Sequence, residues 1–217
     1  MIENYLKMGI RLKWTKPRDG IFSTTGDVVP STQAPNTMKY DGLDGELRNP
    51  QFMVTHVSAI GLVMGQAISH DWLDYLPGGT ATKLVGGQDI LTGWMSGCLI
   101  AKWTSPTGTY VGHVGTIDNN PTANQLVKNK FRPHLVPGMT GFNPLADWPN
   151  NDITPLMLKF KVPPENHVLG LVTNTGEFYS VLIFGIRANL GTTAEWCIGG
   201  IKKANTLSYP QLQSLLS

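Results

Sequence analysis

Glycine and proline interrupt this chain so often that little room is left for long regular elements. They number 24 and 15 among 217 residues. A helical bundle needs long uninterrupted stretches of apolar periodicity, whereas short strands joined by many turns tolerate frequent breaks. The pattern predicts an α+β chain, a β-rich sandwich of two mixed sheets with a few peripheral helices and long loops. No repeat and no linker divides it, so residues 1–217 read as a single domain.

The local patterns place the elements. Residues 5–14 read as a first strand, and 16–50, rich in Gly, Pro, Ser, Thr, Asn and Asp, as a long surface loop. Residues 52–56 suit a strand, and the apolar run 57–76 fits a buried helix or a buried strand equally well. A short strand is expected over 80–85, closed by Gly86-Gly87. The stretch 98–104, the turn Ser105-Pro106-Thr107-Gly108 and the stretch 109–117 make a hairpin. Asn120-Pro121 starts a helix that ends before Pro133, because asparagine caps well and proline suits the first helical position. A second loop covers 133–152. Strands follow at 156–162, 168–174, 177–187 and 195–201, and Ser208 with Gln211 three residues on marks a short final helix.

Composition excludes several classes. Only 15% of residues are charged and the formal net charge is +2. The basic residues are scattered instead of forming a stripe interleaved with aromatics, so nucleic acid is not the expected partner. The longest apolar run is too short and too broken to span a bilayer, and the first residues carry no signal-peptide pattern. A soluble protein is expected. Two cysteines, Cys98 and Cys197, read as free thiols in preference to a bridge. His56, His70, His134 and His167 show no metal-ligand spacing; no metal and no cofactor are expected. Gly93-Trp94-Met95-Ser96-Gly97 is spaced Gly-x-x-Ser-Gly, which is not a serine-hydrolase elbow. Gly78-Gly79 and Gly86-Gly87 lack the residues of a phosphate loop and read as turns. Cys197, between Trp196 and Ile198, reads as core.

The chemistry-bearing segment is Met95-Ser96-Gly97-Cys98, with His113 fifteen residues on. A cysteine becomes a nucleophile when a nearby imidazole takes its proton. Ser96 and Gly97 put small residues before the sulfur, where backbone N–H groups can face a substrate oxygen. If Pro106-Thr107 forms a plain two-residue loop, Thr104 faces Thr109, Cys98 faces Gly115, and His113 is a diagonal same-face neighbour of Cys98. If Gly108 forms a bulge, His113 turns to the other face. Both registers fit the sequence. Trp94 and Trp103 flank the segment and suit the mouth of a site.

Ser96-Gly97-Cys98, the gap to His113, and the run Tyr110, His113, Gly115, Thr116 resemble the catalytic domain of the cytotoxic necrotizing factors and the Burkholderia lethal factor-like glutamine deamidases. The resemblance covers residues 92–116 and departs at Met95, where leucine is usual. It implies a β-sandwich and a toxin-like hydrolase that converts a protein glutamine to glutamate, with Cys98 as nucleophile, His113 as base and Ser96 helping at the oxyanion. It also implies that a main-chain carbonyl, by position that of Thr92, orients the histidine. Targets implied by the resemblance are a Rho-type GTPase or a translation-initiation helicase in the cytosol of a host cell. A chemoreceptor-type deamidase, a transglutaminase using the same site, and a non-enzymatic β-sandwich binding module with Cys98 merely buried are the alternatives.

Overall fold

The computed structural model describes residues 2–7, 10–14, 17–43, 65–93, 95, 97–154, 167–186 and 195–217, with side chains in 7, 10–14, 40–43, 167, 184–186 and 195–199 left out of the description. Its chain order is helix α1 (Ile2–Lys7), strands β1 (Ile10–Trp14), β2 (Val28–Pro30), β3 (Asn36–Leu43), β4 (Ala67–Leu73), β5 (Thr80–Leu84), β6 (Ile90–Thr92), β7 (Leu99–Ser105) and β8 (Gly108–Val114), helix α2 (Pro121–Phe131), strands β9 (Thr140–Phe142), β10 (His167–Val172), β11 (Phe178–Ile186) and β12 (Glu195–Lys203), and helix α3 (Tyr209–Leu215). Short 3-10 turns cover Arg132–His134 and Pro144–Asp147.

Two mixed sheets carry the fold, as the α+β class requires. One closes on itself as a barrel in the order β1-β12-β11-β10-β6-β4-β3, and the other is a five-stranded sheet, β2-β5-β8-β7-β9. Each contains one parallel pair, β4 with β6 and β2 with β5. Closure leaves the barrel without edges, and the second sheet has only three-residue strands at its edges, β2 and β9. Short edges limit pairing with other chains.

Side-chain alternation along the strands sorts the apolar residues into three layers. Met38, Ile68, Trp72, Leu91, Leu169, Leu171, Val181 and Ile183 form one cluster from the barrel strands, joined by Ile2 and Leu6 of α1. Ile90, Val168, Val172 and Leu182 of the barrel meet Ala81, Ile100, Val111 and Phe142 of the other sheet in a second. The third lies between the opposite face of the five-stranded sheet and helices α2 and α3, through Leu99, Ala101, Val114, Val127, Phe131 and Leu212. Asn120 caps α2, its side chain accepting from the Ala123 N–H at 3.1 Å, and α3 carries the capping box of Ser208 and Gln211.

Several boundaries differ from the sequence reading. Residues 2–7 are helical, so the first strand begins at Ile10. Ile2 and Leu6, one helical turn apart, pack together in the barrel cluster and account for this. The 16–50 stretch contains β2 and β3, and the 133–152 stretch contains β9. The run 57–76 yields the strand β4 over its described part. The strands expected at 52–56 and 156–162 lie outside the described residues. Among the described residues no helix is long and apolar enough to cross a membrane.

Candidate functional site

Backbone pairing decides between the two hairpin registers. Thr104 is opposite Thr109, Ser105 opposite Gly108, and Ile100 opposite His113. Gly108 takes a φ of 139°, a backbone position that favours glycine, yet it pairs directly with Ser105 and adds no bulge. Continuing the register one step past Leu99 and Val114 sets Cys98 across from Gly115. His113 and Cys98 therefore share the sheet face that looks toward the barrel, and both are buried, at 0% and 1% exposure.

Thr92 approaches from the other sheet. It ends β6, which pairs with β4 on one side and β10 on the other. In a strand paired on both edges the carbonyls lie in the sheet plane and the side chains stand out of it. The group that reaches His113 is accordingly the Thr92 hydroxyl, 2.6 Å from Nδ1, and not the main-chain carbonyl implied by the resemblance. Thr92 is fully buried, so this is a polar bond bridging two sheets inside an apolar layer. The other ring nitrogen, Nε2, is buried without a hydrogen-bond partner among the described residues.

A third element closes over the imidazole. Residues 74–79 run beside the end of β8, held by bonds from the Gly78 N–H to the Gly115 carbonyl and from the Gly115 N–H to the Gly79 carbonyl, both 2.8 Å. Gly115 permits this approach. A Cβ there would fall 2.1 Å from the Leu76 carbonyl oxygen and 3.0 Å from that of Gly79. The result seats the Tyr75 ring on His113, with centroids 5.3 Å apart and planes at 29°. The Tyr75 hydroxyl donates to the Thr116 carbonyl at 2.8 Å.

Thr116 also holds the sulfur. Its hydroxyl donates to Cys98 Sγ at 3.7 Å, and the thiol donates to its carbonyl at 3.8 Å. The structure thus places Cys98, His113 and Thr92 in one neighbourhood, but the sulfur is bonded to Thr116 and not to the imidazole. Burial pushes the Cys98 thiol up, against the Thr116 hydroxyl, which pulls it down. Burial alone lowers His113 to about 3. The resting state is therefore a neutral thiol near a neutral imidazole, not a preformed ion pair.

Gly97 is exposed immediately before the sulfur, and a Cβ on it would meet only the Thr116 hydroxyl at 3.5 Å, so this side of Cys98 is open. Trp94 and Ser96 lie outside the described residues. Trp103 does not flank the site. It stacks on Tyr110 and meets the edge of Phe131 on the opposite face of the sheet, against α2. Strand alternation explains this: Trp103 and Tyr110 are an opposed pair, and Tyr110 is three residues from His113, hence on the other face. Cys98 is a free thiol, and the Cys197 side chain lies outside the description.

Sequence reasoning gave Tyr75 no role and quoted Thr116 only as part of a motif. No local spacing ties residue 75 to residue 113; the one available signal was Gly115, which marks a close approach of backbone without saying which segment arrives. Of the remaining histidines, His70 is buried in β4, and burial lowers it to about 4. His134 stacks on Phe131 at 6.0 Å. Among the described residues no three His, Cys, Asp or Glu side chains gather as metal ligands. Comparison with family models, with curated proteins and with solved structures finds no match to this chain.

Proposed function

We propose that this chain is a cysteine hydrolase acting on the side-chain carboxamide of glutamine in a target protein, with Cys98 as nucleophile, His113 as general base and Thr92 as the group that orients the ring. One observation carries the reading. His113 is anchored through Nδ1 and keeps Nε2 unpartnered among the described residues, on the sheet face that also carries Cys98. An orphaned buried polar atom costs about 1–3 kcal/mol. Under this reading Nε2, on the sheet face that carries Cys98, is the atom that accepts a proton when substrate enters.

The reaction follows from that arrangement. In the tautomer that carries its proton on Nδ1 and donates it to Thr92, the imidazole offers a lone pair at Nε2. Nε2 takes the Cys98 proton, and the sulfur attacks the carboxamide carbon. The negative charge gathers on the amide oxygen, where backbone N–H groups beside the exposed Gly97 and the Ser96 side chain are the expected donors. The imidazolium returns its proton to the nitrogen and ammonia leaves, giving a thioester. Water, deprotonated at the same Nε2, cleaves the thioester to glutamate and restores the thiol. A primary amine in place of water gives transglutamination from the same intermediate. Cys98 is 1% exposed at rest, so substrate must reach the sulfur from the side of the exposed Gly97.

The resemblance adds the finer part of the proposal, a toxin-like effector whose target is a Rho-type GTPase or a translation-initiation helicase in a host cytosol. Residue-resolved mass spectrometry of both targets after incubation tests it: one glutamine becomes glutamate with the wild-type chain and none with Cys98→Ser. No conversion in either target overturns that assignment. A second reading, a non-enzymatic β module, is favoured by one specific feature, the bonding of the buried sulfur to Thr116 instead of His113. Under it Cys98 resists alkylation at every pH at which the fold survives.

A further inference from the structure

We propose that Thr116 is a catalytic residue of this site, its hydroxyl holding the Cys98 thiolate, and that Tyr75 is a positioning residue that acts by occupying the Thr116 carbonyl; the proposal rests on Cys98 being the nucleophile. Thr116 offers the sulfur two opposed partners. Its hydroxyl, a donor, is 3.7 Å from Sγ and favours the thiolate; its carbonyl, an acceptor, is 3.8 Å away and favours the thiol. The Tyr75 hydroxyl donates to that same carbonyl at 2.8 Å. A carbonyl already engaged by a short bond competes less for the thiol proton and repels a sulfur anion less. The two residues together tilt the sulfur toward its reactive form.

The surroundings make this tilt matter. Burial and the Asp118 carboxylate both oppose a charge on the sulfur, while the Thr116 hydroxyl is the foremost influence in its favour, followed by the backbone at Thr116 and at Gly97. Tyr75, which interacts electrostatically with the sulfur, is raised by burial and so stays protonated, and His113, on the same sheet face, is kept neutral by burial. Tyr75 also stacks on His113, so one side chain touches both the base and the residue that holds the nucleophile. Thr116 is only partly buried, and Gly97 beside the sulfur is exposed.

The test is the rate of Cys98 alkylation by iodoacetamide against pH, read at that residue by mass spectrometry, with ammonia release from target protein measured in parallel. Thr116→Val is expected to move the profile to higher pH by about one unit, so that alkylation at neutral pH slows about tenfold. Tyr75→Phe keeps the ring and shifts the profile the same way by less, and Thr116→Ser brings it back toward wild type. A structural role alone would change stability and leave the profile in place. Superimposed wild-type and Thr116→Val profiles overturn the proposal, as does a Thr116→Ser chain that behaves like Thr116→Val. If Thr116→Val fails to fold, an unmoved profile in Tyr75→Phe overturns it. A thiol that shifts as described while wild-type protein releases no ammonia counts against the hydrolase reading alone. Ammonia release that needs Cys98, with a profile indifferent to Thr116, counts against this inference alone. A wild-type thiol inert at every pH overturns both.

Discussion

Thr92 and His113 meet across the two sheets, the threonine hydroxyl of the barrel strand β6 lying 2.6 Å from the imidazole Nδ1 on β8 of the five-stranded sheet. The bond fixes the ring where the register alone would leave it free to rotate. It also specifies which nitrogen stays open for chemistry.

Replacing Thr92 with valine keeps the shape and removes the hydroxyl. His113 then loses its buried partner, which is expected to cost about 1–3 kcal/mol of stability. The freed ring samples other orientations, and ammonia release should fall about tenfold, the equivalent of one ordinary hydrogen bond. Thr92→Ser should keep most of both. Urea denaturation and turnover on the same preparations check the pair of effects; an unchanged rate in Thr92→Val would remove Thr92 from the site.

Gly115→Ala drives a methyl group to 2.1 Å from the Leu76 carbonyl. The segment 74–79 must move away, and Tyr75 leaves His113 with it. Overpacking of this kind costs about 1–3 kcal/mol. Thermal unfolding should show the loss, and turnover should fall further than the lost stability explains. Wild-type turnover in a folded Gly115→Ala chain would contradict the account of Tyr75.

Acid stability follows from two buried histidines. His113 is held near 3 and His70 near 4 by burial, against an ordinary value of 6.5. Between these values the unfolded chain binds protons that the fold does not, so stability rises with pH there and is complete above the unfolded value. Lowering the pH from 7 to 5 should cost roughly 2 kcal/mol for each ring. Urea midpoints across this range measure it, and a flat profile would contradict the neutral burial of both.

The hairpin was legible in the sequence because Pro106, Thr107 and Gly108 sit between two apolar stretches of matched length, although choosing its register took the backbone pairing of Thr104 with Thr109. The helix after Asn120 and the capping box at Ser208 were legible because their signals are local. Strands β2 and β9 were not. Each has three residues, and Val28, Val29 and Pro30 of β2 remain partly or fully exposed, so no alternation marks them. Barrel closure by β1 and β3 was equally hidden, since pairing between strands distant in sequence leaves no local pattern. Cys98 and His113 were singled out through spacing and resemblance, and the strand register sets them on one sheet face. Tyr75 was missed because its contact with His113 is purely tertiary, and Trp103 was misplaced because adjacency in sequence puts neighbouring strand residues on opposite faces.

The central claim is that the Cys98 sulfur becomes bonded to the glutamine carbonyl carbon. Acid-quenched turnover followed by mass spectrometry of the protein measures this directly. The expected result is an adduct on Cys98 with the mass of the target less ammonia, cleaved by hydroxylamine and absent from Cys98→Ser. Glutamine converted to glutamate at the wild-type rate by Cys98→Ser would contradict it.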